Sequence, residues 1–440
     1  MKKRILLISD DSYALSFAKN LDSIKYELII ISQKIESLEN LDALVLKEKA
    51  NLESLKKAFK QEIDLVLIFD KNEYFNLYIA QLISYYFECH KKLVRVNSKE
   101  QGLNLNEAFS HLRVNFICLE DIIADAIYKS IKFPFFKVFE SFFNEEINII
   151  KIKNIKEFFN TPVEYLESYL ALENLSVLGI VKNDKFILKS QKLILENKDE
   201  IIIAFNSKTK DKVLSKLNFN KTEGKKILIN NLNEITMSVI KKMENDESFD
   251  LTLLEKDDKK ALNIIENFPS ITVLQTSTLD SLLNNLDSSI AHADVFISMD
   301  EKIENNIIHA IFARQLNINQ IIILSSNKLR EELGNIMESF NIIDQSNLSL
   351  ATIIKKTSSS KIKKLFLLDS ENIMFELEVS KKSHLLGYNF KEAAQLIGKC
   401  LFLKKNNKIT IPQEEDIIEI GDNIIALNNL NKFFKTENKL

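Results

Sequence analysis

The stretch Asp64-Leu65-Val66-Leu67-Ile68-Phe69 is an unbroken apolar run behind a single acid, and it returns as Asp294-Val295-Phe296-Ile297. The offset is 294 − 64 = 230, and Asn76 returns at Asn306 with the same 230. A short continuous apolar run bounded by polar residues is what a strand buried on both faces requires, as in a parallel sheet covered by helices. Outward from it, Ile5–Ile8, Glu27–Ile31, Leu44–Leu46, Leu93–Val96 and Asn115–Cys118 read as strands of the same kind. Tyr13–Leu21 and Asn76–Phe87 read as helices between them. Alternation of this kind predicts a doubly wound α/β domain.

The whole pattern recurs. Ile5-Leu6-Leu7 answers to Ile227-Leu228-Ile229 at 227 − 5 = 222, and Glu27-Leu28 to Asp250-Leu251 at 250 − 27 = 223. An offset that drifts only by loop-sized steps indicates an internal duplication. After Pro134 the alternation gives way to the strands Ile147–Ile152, Val177–Val181 and Ile201–Phe205 with one helix, Val163–Leu172, which is a small α+β unit. The expected fold class is therefore α/β, with two doubly wound parallel-sheet (Rossmann-like) domains, each followed by a small α+β domain. The expected bounds are 1–132 for the first Rossmann-like domain and 133–206 for its small partner, then a Lys-rich linker at 207–224. The second copy is expected at 225–356, with a linker at 357–363 and a second small domain at 364–440. Phe133, Phe135, Phe136, Phe139, Phe142 and Phe143 are spaced like the apolar face of a crossover helix, packed on the core or on a neighbouring subunit. Repeated modules with exposed helices of this kind need partners, so a homo-oligomer is expected.

Composition excludes several classes. Among 440 residues, 59 basic residues face 62 acidic ones for a net charge of −3, so nothing marks a nucleic-acid or anionic-membrane surface. No apolar run approaches the ~20 residues needed to span a bilayer, and the amino terminus has too short an apolar run for a secretory signal. Cys89, Cys118 and Cys400 are widely spaced, as buried thiols in a reducing cytosol, and the five histidines lack ligand spacing, so no metal site is expected. Ser12, His90 and Asp70 offer no hydrolytic triad. Lys151, Lys153 and Lys156 read as a solvated face.

On these residues the chain resembles the Trk/Ktr-type regulatory proteins of potassium uptake along nearly its whole length. The first copy carries the family's features in Asp64–Phe69 with Asn76 and in Arg95-Val96-Asn97, and the second in Ala293–Ile297, Glu304, Asn306 and Asn327. The last small unit matches through Glu376–Val379, Ser383–Gly387, Ile411-Pro412 and Ile420-Gly421-Asp422-Asn423-Ile424, where Gly421-Asp422 is expected to turn into the final strand. The first is more eroded, with Asn197-Lys198-Asp199 at the matching place. The resemblance implies a cytoplasmic regulatory (gating) subunit, not an enzyme, peripheral to the inner face of the membrane and partnered with a membrane potassium translocator. It implies a ring whose shape shifts when a ligand binds. The alternatives are a scaffold without ligand and an NAD-dependent oxidoreductase.

The chain departs from the family at the G-x-G-x-x-G fingerprint. The three glycine positions hold Ser9, Asp11 and Ala14 in the first copy and Asn231, Asn233 and Thr236 in the second. The second glycine lets backbone approach a pyrophosphate, and Asp11 there sets a carboxylate where a phosphate would use the helix dipole. Asp10, Asp11 and Ser12 are good helix caps instead, and Ser32 replaces the acid that would hold ribose hydroxyls. The first domain is therefore expected to bind no dinucleotide. In the second, NAD or another adenine nucleotide stays possible. Asn231 and Asn233 tolerate left-handed backbone, Glu255 stands where the ribose-binding acid belongs, and Asn306 faces the crevice. The plainer readings are a surface strand-end acid for Glu255 and a helix cap for Asn306.

Overall fold

The computed structural model describes the chain apart from residues 1–3, 12–17, 19–25, 35–40, 90, 99–101, 103, 106, 108, 110–111, 113, 134–135, 154–157, 171–174, 184, 191–192, 198, 218–223, 245, 276–291, 301, 326–339, 359–360, 370 and 437–440. The expected helix at 13–21 apart from Ala18, together with Ser12, His90, Phe135, Lys156 and Asn327, thus lies outside the described residues.

Domain 1 is a six-stranded parallel sheet of β1 (Arg4–Ile8), β2 (Glu27–Ile31), β3 (Ala43–Leu46), β4 (Leu65–Ile68), β5 (Lys92–Arg95) and β6 (Val114–Ile117). Its order is β3-β2-β1-β4-β5-β6, so the chain reverses direction across the sheet between β1 and β4. The strands read as continuous apolar runs because both faces are covered: every residue of β4 is buried. Helices α1 (Leu52–Ala58), α2 (Glu73–Tyr86) and α3 (Leu119–Lys132) follow β3, β4 and β6. Asn51 and Asn72 start the first two by accepting from backbone amides of the first turn.

The first small domain is built from β7 (Phe136–Phe142), β8 (Ile147–Lys153), β9 (Thr161–Pro162), β10 (Leu175–Lys182), β11 (Lys185–Leu188), β12 (Ile194–Leu195) and β13 (Glu200–Asn206), with α4 (Val163–Leu170) and α5 (Lys210–Lys216). The main sheet is antiparallel in the order β11-β10-β13-β8-β7. Two expectations are corrected here. The Phe-rich stretch is strand β7 and the turn after it, not a helix, and Phe142 and Phe143 are buried. The segment read as a linker from 207 contains α5, and its Val213, with Leu217 just after the helix, enters the domain core. Lys151 is not simply solvated, since it pairs with Glu200 at 3.2 Å.

Domain 2 repeats domain 1. Strands β14 (Lys225–Asn230), β15 (Phe249–Glu255), β16 (Thr272–Gln275), β17 (Val295–Ser298), β18 (Gln320–Ser325) and β19 (Asn341–Asp344) are parallel in the order β16-β15-β14-β17-β18-β19. Helices α6 (Glu234–Met243), α7 (Asp258–Asn267), α8 (Ile303–Gln315) and α9 (Gln345–Thr357) accompany them. The second small domain has β20 (Ile362–Leu367), β21 (Asn372–Glu378), β22 (Lys399–Lys405), β23 (Lys408–Thr410) and β24 (Asn423–Asn429), with α10 (Phe390–Ile397) and α11 (Leu430–Thr436). Its order β20-β21-β24-β22-β23 is that of β7-β8-β13-β10-β11, so the duplication covers the small domains too. Gly421 has φ 85°, which a side chain would disfavour, and Asp422 accepts from the Glu419 amide at 2.8 Å as β24 begins. Asp199 accepts from the Glu196 amide at 2.7 Å in the same way before β13.

The chain forms two compact units, one holding both α/β domains (Met1–Lys132 and Thr222–Leu350) and the other both small domains (Phe133–Lys221 and Ala351–Leu440). In the first unit α3 is the crossover helix. Its Ile123, Ala124, Ile127 and Ile131 join the core of domain 2 beside Val239, Ile240 and Met243 of α6. The last carbonyls of a helix have no partner within it, and domain 2 supplies them. Lys225 Nζ donates to the Ile131 carbonyl at 2.6 Å, and Gln320 Nε2 to that of Ser130 at 2.8 Å. In the second unit the small sheets share a core of Phe142, Ile149, Ile202, Met374, Phe402 and Ile425, and the Phe143 amide donates to Glu376 Oε2 at 2.8 Å.

Candidate functional site

Ligands of doubly wound sheets sit beyond the carboxyl ends of the strands, where the strand order reverses. In domain 1 that place lies past β1 and β4, and Ser9, Asp10 and Asp11 there are engaged by the chain's own groups. Ser9, buried, donates to the Phe69 carbonyl at 3.0 Å and accepts from the Asp11 amide at 3.0 Å. Asp10 Oδ1 crosses to the end of β2, accepting from the Gln33 amide at 2.6 Å and from Ser32 Oγ at 2.9 Å. Asp11 Oδ2 lies 2.5 Å from Arg95 Nη1, and Arg95 Nη2 lies 2.5 Å from Glu120 Oε1. Burial acts to lower the Arg95 pKa, but the Glu120 and Asp11 charges outweigh it and leave it above the ordinary value. The Cys118 thiol, which donates to Glu120 Oε2, is pushed up to about 12, first by burial and then by the Glu120 charge. Sequence reading quoted Arg95 only as part of a motif. Its partners are 84 and 25 residues away, so pattern alone could not pair them.

Domain 2 makes the same crossing from the opposite side. Glu255, at the end of β15, reaches back to the turn after β14, accepting from the Leu232 amide on Oε2 and the Asp257 amide on Oε1, each at 2.9 Å. Leu232 occupies the position of Asp10, by the 222 offset. Glu255 is 2% exposed, so the reading of a surface acid does not hold. The two asparagines divide the work of the missing glycines. Asn231 adopts φ 73°, the left-handed conformation that asparagine tolerates. Asn233 is extended and caps α6, accepting from the Thr236 amide at 2.9 Å while its Nδ2 donates to the Met299 carbonyl at 2.6 Å.

Asn306 is 1% exposed and ties β17 to β18. Its Oδ1 accepts from the Asp300 amide at 2.7 Å, and its Nδ2 donates to the Asp300 and Leu324 carbonyls at 3.0 and 3.1 Å. Asn76 makes the same three bonds in domain 1, to both backbone groups of Asp70 and the Arg95 carbonyl. Asn306→Ala should therefore cost about 2–4 kcal/mol, because a partly buried amide and two carbonyls lose this partner together. Urea unfolding of the variant checks this, and a midpoint equal to that of the parent would show the latch to be dispensable.

A cavity of about 1000 Å³ opens beside this turn, inside the first unit. Domain 2 lines it with Asn231, Leu232 and Asn233, with Glu234, Met237, Ser238, Lys241 and Lys242 of α6, and with Lys260, Asp300, Lys302 and Asn305. Domain 1 contributes Lys71, Asn97, Ser98 and Asp121. Five lysines (71, 241, 242, 260, 302) and three carboxylates (Asp121, Glu234, Asp300) line it, and with Lys242 paired to Asp125 at 2.8 Å a small positive surplus suited to an anion is left. Of the four residues predicted for the site, Asn231 and Asn233 line the cavity, while Glu255 and Asn306 hold backbone behind it. The lysines were missed because single lysines carry little signal in a chain this rich in them.

No family model matches the chain. It is 20% identical to the Trk system potassium uptake protein TrkA of Haemophilus influenzae, over 96% of its own length and 95% of that protein's. It is 19% identical to the protein of the same name from Vibrio alginolyticus, over 73% and 72% of the two chains. Among solved structures, the GsuK RCK domain superposes with a TM-score of 0.61 at 12% identity, covering all of this chain and 96% of that one. The GsuK channel bound to NAD gives 0.60 at 13%, covering all of this chain and 80% of that one. At such identities the superpositions establish the fold, and the sequence match runs nearly end to end in both partners. The chain is a homologue of the Trk system potassium uptake proteins, with two Rossmann-like domains from which the glycine fingerprint has gone.

Proposed function

We propose that the protein is a cytoplasmic regulatory subunit of a potassium-uptake transporter, acting as a homo-oligomer against a membrane potassium translocator, with an adenine nucleotide or NAD as the ligand of domain 2. The observation that carries this is the end-to-end match to Trk proteins together with a duplicated sheet of unchanged strand order. The lysine-lined cavity beside Asn231 and Asn233 supports the ligand, since phosphates pair well with such a surface. A structure of similar fold is described as bound to NAD. Domain 1, crossed by its own ion pairs, takes no dinucleotide in this reading. The proteins matched along the full length are potassium-uptake and channel proteins, so the oxidoreductase alternative falls. The scaffold alternative has one observation in its favour, namely that both oxygens of Glu255 already serve backbone amides.

Two measurements test the reading. Purified protein should show a thermal midpoint that rises with millimolar ATP, ADP or NADH, because a ligand of the folded state stabilises it by mass action. Lys260→Gln and Lys302→Gln should each weaken that response. No response to any nucleotide favours the scaffold. Affinity capture from detergent-solubilised membranes should bring down a potassium translocator, and its absence would sink the regulatory reading altogether.

A further inference from the structure

We propose that Arg95 is an anion-binding residue of domain 1 whose site is filled by the chain's own Asp11 carboxylate, so that removing this carboxylate opens the crevice to a phosphate-type oxyanion. The guanidinium side chain is only 8% exposed, and a buried arginine is costly unless charges pair with it. One carboxylate would neutralise it, yet two approach to 2.5 Å, Asp11 from the turn after β1 and Glu120 from the first turn of α3. Its Nε is buried with no partner, so the fork is not fully used. Asp11 stands at the second fingerprint position, where backbone meets pyrophosphate in dinucleotide-binding domains. A carboxylate there presents oxygens to Arg95 as a phosphate would, since the planar fork suits both anions.

Two further observations separate this from an ordinary core ion pair. The β-sheet registers and helix starts match Asp11, Arg95 and Glu120 to Asn233, Leu324 and Ser346 of domain 2. All three charges are therefore confined to domain 1 at these positions, as expected of parts that work together. The network also lies next in the chain to residues that line the cavity. Asn97 and Asp121, close in sequence to Arg95 and Glu120, line the cavity of about 1000 Å³, as does Lys71.

The test uses the full chain and inorganic pyrophosphate, with sodium chloride at matched ionic strength as control. Asp11→Gly should bind pyrophosphate at least tenfold more tightly than the parent by calorimetry, with a matching rise in thermal midpoint. Asp11→Gly/Arg95→Gln should return to the parent's response. Should the glycine variant fail to fold, Asp11→Ser removes the same charge and carries the same expectation. A folded Asp11 variant that binds no more tightly than the parent overturns the proposal, and so does a double variant that keeps the gain. A response of the parent that Lys260→Gln removes belongs to the cavity lysines, whereas the gain of the Asp11 variant should survive Lys260→Gln, so the nucleotide reading and this one fail separately.

Discussion

Arg95→Met should destabilise domain 1 by about 3–5 kcal/mol, the range for removing one partner of a buried ion pair. Methionine fills much of the arginine stem, so packing changes little. What is lost is the cation between Asp11 and Glu120, whose carboxylates are 14% and 6% exposed and would be left facing each other without it. Arg95→Lys should recover only part of the loss, since one ammonium cannot reproduce a planar fork that reaches two acids on two elements. The triple variant Arg95→Met/Asp11→Asn/Glu120→Gln should recover most of it, because replacing a whole buried charge set with neutral groups of similar shape is far cheaper than breaking it. Urea unfolding measures all three. Glu120 lies on α3, whose apolar face completes the core of domain 2, so hydrogen exchange should also rise in α6. A loss under about 0.5 kcal/mol for Arg95→Met would mean that water already solvates the two carboxylates.

The sheets were legible because burial on both faces leaves no polar alternation to blur a strand. Glu27–Ile31 was placed to the residue, and the other strands of domain 1 to within one. The duplication was legible for the same reason, since Asp64 and Asp294 each mark the start of a switch-point strand. The Phe-rich stretch misled because its spacing suits a helix, while its turn, Phe143-Asn144-Glu145, has left-handed φ of 53°, 56° and 71° without a glycine to announce it. Helix α5 was hidden by four lysines between 208 and 216, although Val213, Leu214 and Leu217 keep helical spacing. The turn residues Asn231 and Asn233 were readable from local chemistry alone. The Arg95 network and the lysine-lined cavity were not, because each joins residues from separate strands or from both domains, and their contacts exist only once the chain is folded.

Glu255→Ala should now cost domain 2 about 2–4 kcal/mol, where a surface acid would have cost almost nothing. The carboxylate holds two backbone amides, Leu232 on one side of the crevice and Asp257 on the other, and charge-assisted bonds of this kind contribute roughly 1.5–3 kcal/mol each. Alanine leaves the Leu232 amide buried without an acceptor and frees the turn that carries Asn231 and Asn233 into the cavity. Nucleotide affinity should therefore fall with stability, roughly tenfold, which corresponds to about 1.4 kcal/mol. Glu255→Gln keeps one carbonyl oxygen for one of the amides, so it should lie between alanine and the parent on both scales. Ser32→Ala, at the matching place in domain 1, should leave nucleotide affinity unchanged, because Asp10 still accepts from the Gln33 amide there. Thermal unfolding and nucleotide titration on the same three variants separate the roles. If stability falls while affinity holds, Glu255 only braces the turn and the ligand rests on the cavity lysines alone. If neither moves, the carboxylate is not gripping those amides in solution, and the crossing between β14 and β15 is held by the sheet itself.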